Sequence, residues 1–267
     1  MEIPNRLVSR RDFLIRTALF AAGTCAGTSV LLTPIARALD TEAAGGPAPR
    51  IAFILDDVGI NIERVRPFLE LGAPLTYAIL PHMMFSYSLA NTIHGRGHEI
   101  MLHQPMEPHN SSLKPGPGGL YVSQSKKEIE IILQRNLENF PHAAGFNNHM
   151  GSRFTESRPK MREALSFFLE RDFYFVDSCT SERSVGFTTA RDMNMMAAHS
   201  HEFIDNVRTD TAVYAQFVKL KACALKHGCA VGIGHPWPET AHGLGQFLRE
   251  MKGSNFKMVY ASQVACA

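Results

Sequence analysis

The sequence predicts an α/β domain with a mainly parallel sheet, crossover helices and a barrel-like shape. Three observations carry this. Short apolar runs alternate with segments whose apolar residues recur at helical spacing. Gly and Pro punctuate the junctions between them. The acids and imidazoles fall where apolar runs end, which is where such folds gather their chemistry.

The first run, Ile51-Ala52-Phe53-Ile54-Leu55, stops at Asp56 and Asp57 and reads as a buried strand. Ile62, Val65, Phe68 and Leu69 follow at helical spacing, and Gly72 supplies a stop. Residues 75–80 form the second strand, closed by Pro81. A helix over 85–94 precedes Gly97 and a strand over 99–102. Residues 104–123 contain four Pro and three Gly and predict a long loop. Ile129, Ile132, Leu133, Leu137 and Phe140 mark an amphipathic helix. Strands follow over 143–147, 173–176 and 230–233, with helices near 159–171 and 211–227. A helix over 245–252 and a strand over 257–260 close the chain. His199 and His201 alternate as along a strand and are not read as ligands.

Composition narrows the function. The chain has 267 residues, 45% hydrophobic and 19% charged, which excludes a disordered or fibrous protein. No uninterrupted apolar run reaches membrane-spanning length, which excludes a polytopic membrane protein. The net charge of +2 comes from the N-terminus: residues 1–38 hold five of the 27 basic and two of the 25 acidic residues. The rest therefore carries −1, and no nucleic-acid partner is expected.

That N-terminus reads as an address. Ser9-Arg10-Arg11-Asp12-Phe13-Leu14 matches a twin-arginine export pattern. An apolar stretch over 17–33 and the small-x-small exit Ala36-Arg37-Ala38 follow in the right order. Residues 1–38 are thus expected to be a signal peptide read by the twin-arginine machinery. The mature protein is expected in the periplasm or beyond, without a permanent membrane span. Residues 39–49 read as a linker, and the folded domain should start at Arg50. Four cysteines would remain, at 179, 223, 229 and 266, and none has zinc-finger spacing. Cys223 and Cys229 are spaced to bridge a helix end to the next strand, but export in a folded state disfavours a disulfide-dependent fold.

The polar strand ends suggest a metal or acid–base site. Like charges side by side, as in Asp56-Asp57, need a cation or proton to relieve them. One can bind a metal while the other acts as base; the pair also fits a helix N-cap with a solvated neighbour. His103 ends the third strand, and imidazole is the commonest ligand for divalent transition metals. Asn147-Asn148-His149 closes the fourth strand, Asp177 the fifth, and Gly232-Ile233-Gly234-His235 a later one. Together these groups point to one face.

Four ordered motifs make the chain resemble the divergent polysaccharide deacetylases, an offshoot of the NodB-type carbohydrate esterases. They are Leu55-Asp56-Asp57-Val58-Gly59, the stretch from Gly97-His98-Glu99 to Leu102-His103-Gln104-Pro105-Met106-Glu107-Pro108, Asn147 to Ser152, and Gly232 to Thr240. The resemblance covers roughly residues 50–262 and implies a distorted (β/α) barrel of about seven strands. It implies Asp56 as catalytic base, Asp57 and His103 as ligands of a divalent metal, most simply zinc, and His235 as general acid oriented by Asp177. The family's second histidine ligand falls on Glu107. Either Glu107 ligates or another residue does, and His149 is preferred because it ends the next strand. No counterpart is found for the family's arginine that orients the base. Asn148 and Trp237 are candidate substrate contacts, with Trp237 suited to stacking on a sugar or covering the rim. The implied reaction removes acetyl groups from a glycan; the rival is a glycan-binding protein that has lost turnover.

Overall fold

The computed structural model describes residues 47–138 and 140–267. The predicted signal peptide, its predicted cleavage site and most of the predicted linker lie outside these residues. Among them, no helix is long and apolar enough to cross a membrane, and all four cysteines are free.

The sheet contains β1 (Arg50–Val58), β2 (Thr76–Ile79), β3 (Glu99–Met106), β4 (Ala143–Met150), β5 (Tyr174–Asp177), β6 (Ala197–His199), β7 (Glu202–Phe203), β8 (Cys229–Gly234) and β9 (Lys257–Val259). The helices are α1 (Ile62–Leu69), α2 (Ser86–Gly95), α3 (Lys126–Leu137), α4 (Arg158–Leu169), α5 (Gly186–Asp192), α6 (Asp210–His227) and α7 (Pro238–Met251). The strand order is β6-β5-β4-β3-β2-β1-β8-β7, with β9 also on β1, and every ladder is parallel. This is the distorted (β/α) barrel expected. All seven predicted strands are present. The two additions, β6 and β7, have three and two residues, too few to show an alternation.

Those two short strands close the architecture. Residues 197–199 pair with β5. The Ser200 amide then donates to Asp177 O at 2.8 Å. The His201 and Ile204 amides donate instead to Val231 and Ile233 of β8. One extended stretch therefore lies along both edges of the sheet.

Side-chain capping explains three of the seven helix starts. Asn61 accepts from the Arg64 amide, Ser125 and Glu128 form a capping box, and Thr209 accepts from the Ala212 amide. Gly228, at φ 78°, ends α6 in the left-handed region that glycine adopts without penalty. The predicted loop begins later than expected. β3 runs on to Met106 because Gln104, Pro105 and Met106 pair with Asn148, His149 and Met150 of an equally extended β4.

Strand alternation sorts the core into two layers. Ile51, Phe53 and Leu55 of β1 pack in the larger layer beneath the helices. Ala52 and Ile54 point into the barrel with Met101, Val176, Val231 and Ile233. Continuing that inward parity past the inner layer leads from Ile54 to Asp56, from Met101 to His103 and from Ile233 to His235. The inner core thus forms the floor of a polar mouth.

Candidate metal centre

Asp56 follows the inward parity of β1 and is 2% exposed. Asp57 should face the opposite side. It does not, because the β1–β2 register shifts between Leu55 and Val58 and Asp57 adopts φ 57°. This bulge turns both carboxylates toward His103. Asp57 Oδ1 lies 3.2 Å and Asp56 Oδ2 3.6 Å from His103 Nε2.

Asn147, fully buried, joins these groups. Its Nδ2 donates to Asp56 Oδ1 at 2.8 Å, and its Oδ1 is 2.8 Å from His103 Nδ1. That contact places the His103 proton on Nδ1 and leaves the Nε2 lone pair facing the mouth. His149, next inward on β4, brings Nδ1 to 3.0 Å from Asp57 Oδ1 and 3.2 Å from His103 Nε2.

Three potential ligand atoms thus form a triangle with sides of 3.0 to 3.2 Å. Tetrahedral zinc with bonds of 2.0–2.1 Å separates its ligands by roughly 3.3 Å. Asp57 Oδ1 is also buried and makes no well-formed hydrogen bond, with only the two imidazole nitrogens as close polar neighbours. Converging lone pairs on an orphaned carboxylate oxygen suit a divalent cation. Electrostatics agree: burial opposes charge on Asp57, yet His103 and His149 hold its carboxyl well below the usual range. Burial likewise opposes charge on His103, but Asp56 and Asp57 raise it. In the metal-free protein, protons relieve what a cation would relieve. Asp56 differs, because its burial dominates and raises its pKa.

His235 faces the triangle, with Nε2 3.9 Å from Asp57 Oδ2. Its Nδ1 lies 2.9 Å from Oδ1 of Asp205, not beside Asp177. Asp205 Oδ2 also accepts the His235 backbone amide at 2.5 Å and the Thr240 hydroxyl at 2.8 Å. Burial disfavours the imidazolium, but the hydrogen bond and charge of Asp205, with Asp56 and Asp57 adding, push it up to about 9.

Three further expectations need correction. Asp177 cannot orient His235, because by parity it shares Phe175's outward face. Its carboxylate accepts from the amides of Cys179 and Phe187 and from the Ser184 hydroxyl, bracing the loop into α5. Glu107 is not in the ligand triangle: its two oxygens take the Arg153 guanidinium and the Val122 amide, at 2.9 and 2.8 Å. Asn148, also outward, accepts from the Ser178 amide and donates to Met150 O, so it braces the loops rather than lining the mouth. Trp237 starts α7 beside His235, half-buried at the rim.

Fold and site together define a parallel (β/α) barrel whose mouth holds two carboxylates, a candidate metal triangle and a His–Asp pair. Residues 53–265 match the divergent polysaccharide deacetylase family model, and the chain belongs to that family. It is 28% identical over 207 residues to the uncharacterized protein YibQ of Escherichia coli, covering 75% of this chain but only 63% of that protein. An uncharacterized Haemophilus influenzae protein is 29% identical over 202 residues, 76% of this chain and 72% of its own. Among solved structures, an uncharacterized Agrobacterium tumefaciens protein superposes with a TM-score of 0.78 at 20% identity, covering 85% of this chain and 94% of that one. A family 4 carbohydrate esterase from Streptomyces lividans, in complex with acetate, gives 0.51 at 11% identity, covering 84% and 97%. A pseudoenzyme of the same esterase family from Bacillus anthracis gives 0.51 at 14% identity, covering 81% and 65%.

Proposed function

We propose that this protein is an exported, metal-dependent hydrolase that removes acetyl groups from a glycan. One observation carries the reading: the Asp57–His103–His149 triangle is flanked by a buried carboxylate, Asp56, and a carboxylate-paired imidazole, His235. Asp57, His103 and His149 would hold the ion. Zinc fits this donor set, and when bound it polarises a carbonyl and makes water more acidic.

The chain's own groups supply the proton transfers. Asp56, its Oδ1 fixed by Asn147, accepts the proton of the attacking water. His235, held by Asp205 in its imidazolium form, donates from Nε2 to the leaving nitrogen or oxygen as its bond to the acetyl carbon breaks. The proton on Asp56 then returns to solvent, and acetate departs. Asn147 stands in for the orienting arginine that the sequence lacks, because it contacts the base and a ligand at once.

Export follows the twin-arginine pattern at Ser9 to Leu14. A second reading, glycan binding without turnover, is motivated by that missing arginine. Incubating the purified zinc-loaded protein with acetylated oligosaccharides separates the two. Release of acetate that chelator abolishes and zinc restores supports the deacetylase. Metal and glycan bound without acetate release, for both N- and O-acetylated substrates, would replace it with the binding protein.

A further inference from the structure

Beside the candidate acid, two arginines share one tryptophan. The guanidinium carbons of Arg64 and Arg208 each lie 4.6 Å from the Trp237 ring centroid. Arg64 lies in the first turn of α1, Arg208 in the loop from β7 to α6, and Trp237 at the start of α7. Their parent strands β1, β7 and β8 are neighbours, so three adjoining loops deliver these side chains to the mouth. The Trp237 amide donates to His235 O at 2.7 Å, which ties the group to the acid.

Both arginines are exposed, and neither forms an ion pair among the described residues. The acids beside them in sequence are engaged elsewhere: Glu63 with Arg66, Asp210 with His242 and Asp205 with His235. Other arginines around the mouth are neutralised, Arg153 by Glu107 and Arg183 by Glu156. Two like charges gathered on one ring repel each other until an anion joins them. The planar guanidinium fork matches carboxylate and phosphate oxygens, while cation–π contact with the indole holds each fork beside the ring.

We infer that Arg64 and Arg208 form an anion clamp that recognises a carboxylate or phosphate on the glycan substrate, making the site selective for acidic glycans. The inference rests on the glycan reading above and adds the charge of the substrate. The clamp lies outside the ligand triangle and does not touch Asp56 or the metal ligands. It therefore acts on binding rather than on the bond-breaking step.

The test is calorimetric binding to the full-length protein with matched probes. An N-acetylated oligosaccharide containing uronic acid is compared with its carboxyl-reduced form, and N-acetylglucosamine 1-phosphate with N-acetylglucosamine. Wild type should bind at least one anionic partner about tenfold more tightly than its neutral match, with the preference shrinking as salt rises. The carboxylate or the phosphate pair identifies the group. Arg64→Gln with Arg208→Gln should abolish the preference while leaving zinc content unchanged; Arg208→Glu alone should invert it. Equal affinity within both pairs, no binding of any anionic probe, or a preference that survives the double substitution would overturn the clamp. Binding with anion preference but no acetate release keeps the clamp and defeats the deacetylase. Acetate release without anion preference does the reverse.

Discussion

Replacing Asp205 with Asn probes the acid half of the site. Asp205 is 5% exposed, and its carboxylate accepts three hydrogen bonds, from the amide and Nδ1 of His235 and from Thr240. Asn preserves the shape and removes the charge. Lifting the His235 imidazole from 6.5 to about 9 corresponds to about 3 kcal/mol in favour of the charged ring. This is a net figure: burial opposes it, and Asp56 and Asp57 add to the contribution of Asp205. Since the folded value exceeds the unfolded one, this stabilisation is fully present below pH 6.5 and is lost as pH rises through about 9. In the metal-free Asp205→Asn protein, NMR titration of the His235 ring should give a value lower by at least about one pH unit. The decline in stability across that window should flatten. Turnover of the zinc-loaded variant should fall by roughly 10²- to 10⁴-fold, as when other carboxylate-oriented histidines lose their partner. An unchanged His235 titration, or an equal shift in Asp177→Asn, would refute the assignment.

Other outcomes follow from the same geometry. Asp56→Asn should retain the metal and lose roughly 10²- to 10⁴-fold in turnover, measured by acetate release beside metal content. His149→Ala should abolish stoichiometric zinc in elemental analysis of the dialysed protein, whereas Glu107→Gln should keep it, since Glu107 is engaged with Arg153 and Val122. His201 is held down to about 4 by burial and by His199 and His227, so the unfolded chain binds its proton first as pH falls below 6.5. In urea unfolding, His201→Gln should gain roughly 1 kcal/mol of stability at pH 5 relative to its effect at pH 7, after solvent screening is allowed for.

Much of this arrangement was legible in the sequence. Short apolar runs and helical spacing located every strand longer than three residues and all helices except α5, although α7 starts at Pro238 rather than near 245. Acids and imidazoles after apolar runs located Asp56, Asp57, His103, His149 and His235. The error over Asp177 has a specific cause. Tyr174-Phe175-Val176-Asp177 and Phe203-Ile204-Asp205 show the same pattern, an apolar run ending in an acid. Only the sheet order separates them: β8, which carries His235, neighbours β7 and not β5. Parity offered a second clue, since Asp177 shares a face with Phe175. The Asp57 bulge was hidden for the opposite reason. Alternation assigns Asp57 outward, and only a backbone in the left-handed region reverses it. Glu107 was aligned by motif, but β3 stays extended to Met106 and delivers that carboxylate to Arg153.

The stretch over residues 197–204 has a consequence for the edges of the sheet. An unrolled parallel sheet presents two rows of unpaired amides and carbonyls, each a template for another chain. Here one short segment blunts both rows, hydrogen-bonding first to β5 and then to β8. The next residue is Asp205, so protection against edge-to-edge association and alignment of the proton donor are delivered by the same few residues. Unseating this segment would expose both edges and take from His235 its carboxylate partner.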